Sequence, residues 1–161
     1  LILAVSNPDI IKTLLIAYHS QTGRSQSLAD AAHAGALLEL DVRVDFCHVR
    51  EVDIERLRNA SAVLWVTPEN FGYMSGELKA LFDRTYDAVR DDTAGQSYGL
   101  IISCGNDGHG AQTSVERIML GYGMAAARKA LIVRGEISPA DVQQAHELGQ
   151  YMASALAVGL I

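Results

Sequence analysis

The sequence predicts an α/β domain: a doubly wound, five-stranded parallel sheet with helices on both faces. Three observations point there. Segments of strand character alternate with segments of helical period along the chain. The strand candidates in its middle are continuous apolar runs, as strands covered on both faces require. One early candidate instead alternates apolar with polar residues and therefore belongs at a wet edge. Right-handed crossovers then distribute the helices over both faces. The commonest arrangement of such sheets, combined with a single wet second strand, gives the order 2-1-3-4-5. Its ligand crevice lies at the carboxyl ends of strands one and three, where the winding reverses.

The first strand is the apolar run Leu14 to Tyr18, followed by an alanine-rich helical stretch from Ser25 to Leu38. Leu28, Ala32 and Gly35 recur there at helical spacing, a small-residue face expected to let this helix sit close to the sheet. Val42, Val44 and Phe46 alternate with Arg43 and Asp45, which marks the edge strand. Ala62 to Val66 and Leu100 to Ile102 are the central strands, and Ala130 to Val133 is the last. Ser75 can cap a helix from Gly76 to Val89, with Leu78, Leu81, Phe82 and Val89 on one face. Val115, Ile118, Met119 and Tyr122 follow a helical period, and Ser138-Pro139-Ala140-Asp141 supplies a cap, a first-turn proline and an acid for the final helix.

Length and composition bound the function. A chain of 161 residues suits a single domain, and 49% hydrophobic with 20% charged residues suits a packed core. Thirteen Lys and Arg against nineteen Asp and Glu give a net charge of −6, the wrong sign for a nucleic-acid footprint. No uncharged apolar run approaches the roughly 18 residues of a membrane span, so no membrane partner is expected. Cys47 and Cys104 lie far apart without metal spacing, which predicts no metal site and favours a reducing, cytoplasmic setting. Residues 1 to 11 read as a strand-like N-terminal arm or a foreign end, since LILAV is too short and lacks the basic flank of a signal peptide.

The loops at the predicted crevice carry the chemistry. Ser20-Gln21-Thr22-Gly23-Arg24-Ser25 lies between a buried strand and a helix start, where free backbone N–H groups, the positive helix end and three hydroxyls suit a phosphate monoester. No Walker lysine follows Gly23, which argues against a nucleoside triphosphate. Pro68-Glu69-Asn70-Phe71-Gly72-Tyr73, running on to Met74, Ser75 and Gly76, sets two aromatics and an amide at the crevice mouth, where a planar ring can be packed. Phe71 and Tyr73 can equally serve the core or, with Met74, an oligomer contact. Ser103-Cys104-Gly105-Asn106-Asp107-Gly108 lets backbone approach closely, and Asn106 offers both donor and acceptor. Asp107 also suits a turn, His109 a solvated loop, and Cys104 a small core position. Gly121-Tyr122-Gly123-Met124-Ala125-Ala126 fits a dinucleotide fingerprint but follows a helix rather than a strand, so it opens no such unit. A phospho-acceptor receiver is excluded because Thr67 stands where its aspartate belongs.

These residues carry a resemblance. The Ser20 to Ser25 loop resembles the flavodoxin phosphate-binding signature. The stretch Thr67 to Lys79, continuing through Phe82-Asp83-Arg84, is similar to flavodoxin-fold NAD(P)H-dependent FMN reductases and quinone reductases, as are Gly105 to Gly108 and Glu116-Arg117-Ile118. The resemblance spans about residues 12 to 158 and implies a flavodoxin-like FMN-binding domain over the chain. It implies Ser20, Gln21, Thr22, Gly23, Arg24 and Ser25 around the FMN phosphate and Pro68, Glu69, Asn70, Phe71, Gly72 and Tyr73 along the isoalloxazine. Ser103, Gly105, Asn106 and Asp107 would meet the pyrimidine or dimethylbenzene side. No catalytic side chain is assigned, because the flavin carries the chemistry, with NAD(P)H as hydride donor and a quinone or similar small-molecule electron acceptor. Relatives of this type are often dimers or tetramers, so a homodimer or homotetramer is expected. The competing expectation is a flavodoxin-type electron carrier without a substrate pocket. The absence of Phe, Tyr and Trp from Gly105 to Gly110 leaves one ring face uncovered and favours the enzyme.

Overall fold

Strand alternation becomes a two-sided core in the computed structural model, which describes residues 10–161. Of the predicted N-terminal arm, residues 1–9 lie outside the described residues, and Ile10 and Ile11 are exposed. The elements in chain order are β1 (Lys12–Tyr18), α1 (Arg24–Ala36), β2 (Val42–His48), a 3-10 turn (Val49–Glu51), α2 (Ile54–Asn59), β3 (Ala62–Asn70), β4 (Tyr73–Met74), α3 (Gly76–Thr93), β5 (Ser97–Cys104), α4 (His109–Gly121), β6 (Ala125–Ala126), β7 (Leu131–Arg134) and α5 (Pro139–Ala157). On β1, Leu14 and Ile16 join Leu64 and Val66 of β3 under α1 and α5, while Leu15 and Ala17 join Val63 and Trp65 under α3 and α4. Two apolar cores thus share one sheet, as period-two side-chain alternation requires.

The parallel order runs β2, β1, β3, β5, with the fifth position beyond β5 divided between two short strands. β6 pairs with Ser97 and Tyr98 at the start of β5, and β7 pairs with Ile101 to Cys104 at its end. The expected order 2-1-3-4-5 therefore holds with a split last strand. β2 is the edge, as its alternation requires. Two further departures concern short elements. α2 has only six residues, and Asp53 starts it by accepting a hydrogen bond from the Arg56 amide at 2.8 Å. The stretch after Val66 is no open loop, because β3 continues to Asn70 and turns back through Phe71-Gly72 into the antiparallel β4. Met74 is consequently buried in the core under α3 and α4, which overturns its expected place in an oligomer contact.

Helix caps follow the sequence. Ser75 accepts from the Leu78 amide at 3.2 Å, and Ser138 and Asp141 form a reciprocal capping box with Pro139 in the first turn. Leu28 and Ala32 of α1 pack in the core beneath the sheet as expected, and Gly35 at the end of the same face meets α5. A Cβ on Gly35 would stand 2.0 Å from the His146 carbonyl oxygen, and one on Gly149 would stand 1.9 Å from that of Ala32. Two backbones touch there, so side chains are excluded by geometry and not by polarity. No helix among the described residues is long and apolar enough to cross a membrane.

At the β1–β2 edge, Tyr18 and His33 stack on Phe46 with ring centroids 5.1 and 4.3 Å away. His19 and His48 meet edge to face at 5.5 Å. Burial pushes the pKa of His19, His33 and His48 below 6.5; beyond burial, His48 further depresses His19 and Arg50 further depresses His48. The unfolded chain therefore binds more protons than the folded one just below that pH.

Two expectations follow from this packing. Gly149→Ala should lower stability by roughly 1–3 kcal/mol, because the α1 backbone must retreat; urea unfolding measures it. Stability should be full above pH 6.5 and decline as the pH falls from 6.5 through the folded pKa values of these histidines. His33→Gln should flatten part of that slope in thermal melts across pH 5 to 7, a range taken to bracket the unperturbed histidine value of about 6.5.

Candidate functional site

The carboxyl ends of β1, β3 and β5 bring the three chemistry-bearing loops to one rim. They enclose a cleft of about 150 Å3. Ser20, Gln21, Thr22, Arg24 and Ser25 line it from the first loop, Pro68, Glu69 and Asn70 from the second, and Ser103, Cys104 and Gly105 from the third. Gly23, Phe71, Gly72, Tyr73, Asn106 and Asp107 stand around this lining rather than in it. Cys104 is the addition that sequence reasoning set aside as core. Its thiol is buried, its pKa raised first by burial and next by Glu69, and its Sγ lies 3.6 Å from the Val133 carbonyl oxygen. A protonated thiol is a poor nucleophile, so its part is packing.

Side-chain hydrogen bonds cross from loop to loop. Asn70 donates to the Gln21 side-chain oxygen at 2.8 Å, joining the first loop to the second. The hydroxyls of Ser25 and Ser103 share a buried hydrogen bond of 2.7 Å, joining the first to the third. Glu69 joins the second to the third, its two carboxylate oxygens accepting from the amides of Gly108 at 3.3 Å and Ala111 at 3.1 Å. At the same seam a Cβ on Gly110 would stand 1.8 Å from the Gly72 carbonyl oxygen, so the hairpin lies directly on the first turn of α4.

The two glycine-capped helices at this rim differ in what their N-termini have left to offer. Gly23 and Gly108 both take positive φ, 94° and 75°, at the N-caps of α1 and α4. The N-terminus of α4 is already satisfied: Glu69 takes two amides, and Asp107 accepts from the His109 amide at 3.0 Å. α1 has no side-chain cap and no acid in its first turn. Its orphan N–H groups and positive dipole end face a cleft ringed by Ser20, Thr22, Ser25 and Arg24, a ready anion site. Ser20 braces the turn by accepting from the Gly23 amide at 3.1 Å, and the Arg24 guanidinium is held 2.7 Å from Glu136 in the loop before α5.

The hairpin tip is strained. Phe71 (φ 52°) and Gly72 (φ 68°) both occupy the left-handed region, the pattern of a two-residue turn that ordinarily carries Asn-Gly. Phe71 is fully exposed at 108%, so no core contact offsets the strain. Tyr73 is exposed beside it. Neither aromatic serves the core, which removes one of the two alternatives open from sequence. Asp107 accepts the amide two residues on, as a turn residue does, and exposed His109 opens α4 with its Nδ1 3.6 Å from an Asp107 oxygen.

On the far flank of the first loop His19 is 8% exposed, and its Nδ1 has no hydrogen-bond partner. His48 accepts the Arg50 amide at 3.1 Å, and Arg50 pairs with Glu77 at 2.6 Å. Glu77 is held below the usual carboxylate range by its hydrogen bond to Arg50. Sequence spacing could not reveal this cluster, because its members come from three separate stretches of the chain, at His19, at His48 with Arg50, and at Glu77.

Comparison with known proteins accords with this geometry. A family model described as NADPH-dependent FMN reductase matches residues 48–137. A curated NAD(P)H dehydrogenase (quinone) of Syntrophus aciditrophicus is 25% identical over 125 residues, 63% of this chain and 62% of that protein, so the chain spans under two thirds of that relative's length. A flavodoxin from the domain Archaea superimposes with a TM-score of 0.79 at 20% identity, covering 89% of this chain and 98% of that one. A WrbA-like flavodoxin protein from Agrobacterium tumefaciens does so at 0.74 and 18%, covering 92% and 98%. A rubredoxin oxygen:oxidoreductase from the anaerobe Desulfovibrio gigas gives 0.78 at 17%, over 92% of this chain and 37% of that one. The structural likenesses establish a flavodoxin-like fold, and with over half its length matched the chain belongs to the NADPH-dependent FMN reductase family.

Proposed function

We propose that the protein binds FMN in the three-loop cleft and acts as an oxidoreductase between NAD(P)H and a quinone or similar small acceptor. The observation that carries this reading is the uncapped N-terminus of α1, free of acids and ringed by hydroxyls, opening into a cleft that the hairpin and the β5–α4 loop share. The residues fit the group. Ser20, Thr22, Ser25 and the first-turn amides of α1 suit a phosphate monoester, with Arg24 as counter-charge. Pro68, Glu69 and Asn70 on one side and Ser103, Gly105, Asn106 and Asp107 on the other would flank the ring. Bound FMN would supply the redox chemistry, taking a hydride from the nicotinamide and delivering electrons to the acceptor.

The chain's own contribution is positional. Glu69 spends its charge on two amides of α4, which keeps a free carboxylate away from an electron-rich ring. The Gln21–Asn70 and Ser25–Ser103 bonds hold the phosphate and ring loops at fixed separation, so binding need not order them. Gly105 to Gly110 carries no Phe, Tyr or Trp, which supports an accessible ring face rather than the covered ring of a carrier. The likeness to flavodoxins keeps the carrier as the second reading. A fully exposed Phe71 held at positive φ supports a self-association contact at the hairpin tip in a homodimer or tetramer. Two buried free thiols support a reducing, cytoplasmic setting.

Anaerobic stopped-flow mixing of FMN-loaded protein with NADPH and NADH decides between the readings. Rapid bleaching of the flavin is expected, and its absence would favour the carrier. Thr22→Asp should weaken FMN affinity by about tenfold or more at low salt, the equivalent of about 1.4 kcal/mol of like-charge repulsion; unchanged affinity by fluorescence titration would move the phosphate elsewhere. Phe71→Asn should relieve roughly 1 kcal/mol of left-handed strain while shifting the light-scattering mass toward the monomer. A mass unaffected at micromolar concentration would remove the tip from any interface.

A further inference from the structure

β2 is the open edge of the sheet. It pairs with β1 residue for residue from Val42 to His48 and with no other strand among the described residues. Exposed edges are ordinarily blunted by shortness, a proline, a lysine or a bulge. β2 has none of these, running for seven residues as VRVDFCH in unbroken register. Side-chain hydrogen bonds to the main chain reach Asp41 before the strand and Val49 after it, with none between them among the described residues. Its side chains divide by face. Val42, Val44 and Phe46 lie on the side of the α1–α5 core, where Val44 and Phe46 are only partly buried. Arg43 and Asp45 lie on the other. Asp45 stands 3.3 Å from Arg56 of α2, whereas Arg43 is exposed and has no carboxylate partner among the ion pairs of the described residues.

We infer that β2 is a self-pairing edge, along which two copies of this chain join antiparallel about a two-fold axis at Val44 to form one continuous sheet. The charges fix this register. Centred on Val44, Arg43 faces the partner's Asp45 and Asp45 faces the partner's Arg43, so both cross-strand pairs are opposite in sign. Centring the axis on Arg43 would set arginine against arginine, and centring it on Asp45 would set aspartate against aspartate. A slip of one residue would turn the apolar face of one copy to the charged face of the other. The favoured register also sets Val44 against the partner's Val44 and Val42 against the partner's Phe46, which covers the half-buried apolar strip on its open side. Because the FMN cleft is built from the loops after β1, β3 and β5, this pairing leaves it open. The contact lies on a different element from the hairpin tip and does not depend on what the cleft binds.

Charge reversal with light scattering at micromolar concentration tests the inference. In the Phe71→Asn background, which removes the tip contact, the chain should still have the mass of a dimer. Arg43→Asp alone or Asp45→Arg alone places like charges in both cross-strand pairs and should weaken that dimer about tenfold or more. An equimolar mixture of the two variants restores opposite charges in every pair, so it should return to the dimer mass, which a folding defect in either variant would prevent. Val44→Cys reads the axis directly. Facing Cα atoms in antiparallel strands are about 4.5–5.5 Å apart, within reach of a disulfide, and both native thiols are buried. Mild oxidation should therefore cross-link Val44→Cys into a dimer on a non-reducing gel, and should leave Val42→Cys, which faces the partner's Phe46, uncross-linked. A monomeric chain, whatever else lies along β2, overturns the inference. So does a dimer mass that ignores both charge reversals, a mixture that stays monomeric, or a Val44→Cys chain that does not cross-link.

Discussion

The site depends on the seam where the β3–β4 hairpin lies against the start of α4. At Gly110 the two backbones approach so closely that any Cβ would overlap the Gly72 carbonyl, and Glu69 reaches across to take two amides of the same helix turn. Contact and hydrogen bonding act together here. The glycine permits the approach, and the carboxylate gives it a direction, because an ionised acceptor gains most from N–H groups at the positive end of a helix. With the second and third loops locked in this way, the first loop needs only the Asn70–Gln21 and Ser25–Ser103 bonds to complete the rim. The cleft is therefore a consequence of inter-loop bonding and not only of the sheet below it.

The same seam explains why one helix end is left for an anion and the other is not. Glycine at positive φ opens both α1 and α4, so local conformation does not distinguish them. The difference is which groups arrive from elsewhere. Carboxylates from Glu69 and Asp107 satisfy α4, while hydroxyls, which can donate to an anion, surround α1. A glycine N-cap without a side-chain acceptor, as at Gly23, costs roughly a few tenths of a kcal/mol relative to a Ser, Thr, Asn or Asp cap. That deficit sits where a ligand can make it good.

Much of this organisation was legible in the sequence, and what was not has identifiable physical causes. Continuous apolar runs located β3 and β5, the alternation of Val42, Val44 and Phe46 located the edge, and Ser75 and Ser138 located two helix starts, because each signal is local. The three loops were recognisable for the same reason. The split of the last strand was not, since Ala125 and Ala126 have no pattern of their own and become a strand only by pairing with Ser97 and Tyr98. The two-residue hairpin was hidden because Phe-Gly is an unfavourable turn pair, adopted against the preference of phenylalanine. Glu69 lines the cleft, and its bonds to the amides of Gly108 and Ala111 belong to a helix reached only through the fold. Cys104, the His19–His48 contact and the α1–α5 glycine seam were likewise products of tertiary placement.

The strain at Phe71 then acquires a reason from its surroundings. Asparagine or glycine at that position would make the turn at lower cost, so the turn itself gives no reason for an aromatic ring there. The rim cleft borders this hairpin, and Phe71 stands at its tip, fully exposed. The Gly110 contact and the Glu69 bonds, by immobilising the strands on either side, hold the tip in its unfavourable conformation and keep the ring presented. The rigidity that shapes the cleft is thus also what maintains a strained aromatic at its edge, and the two features stand or fall together.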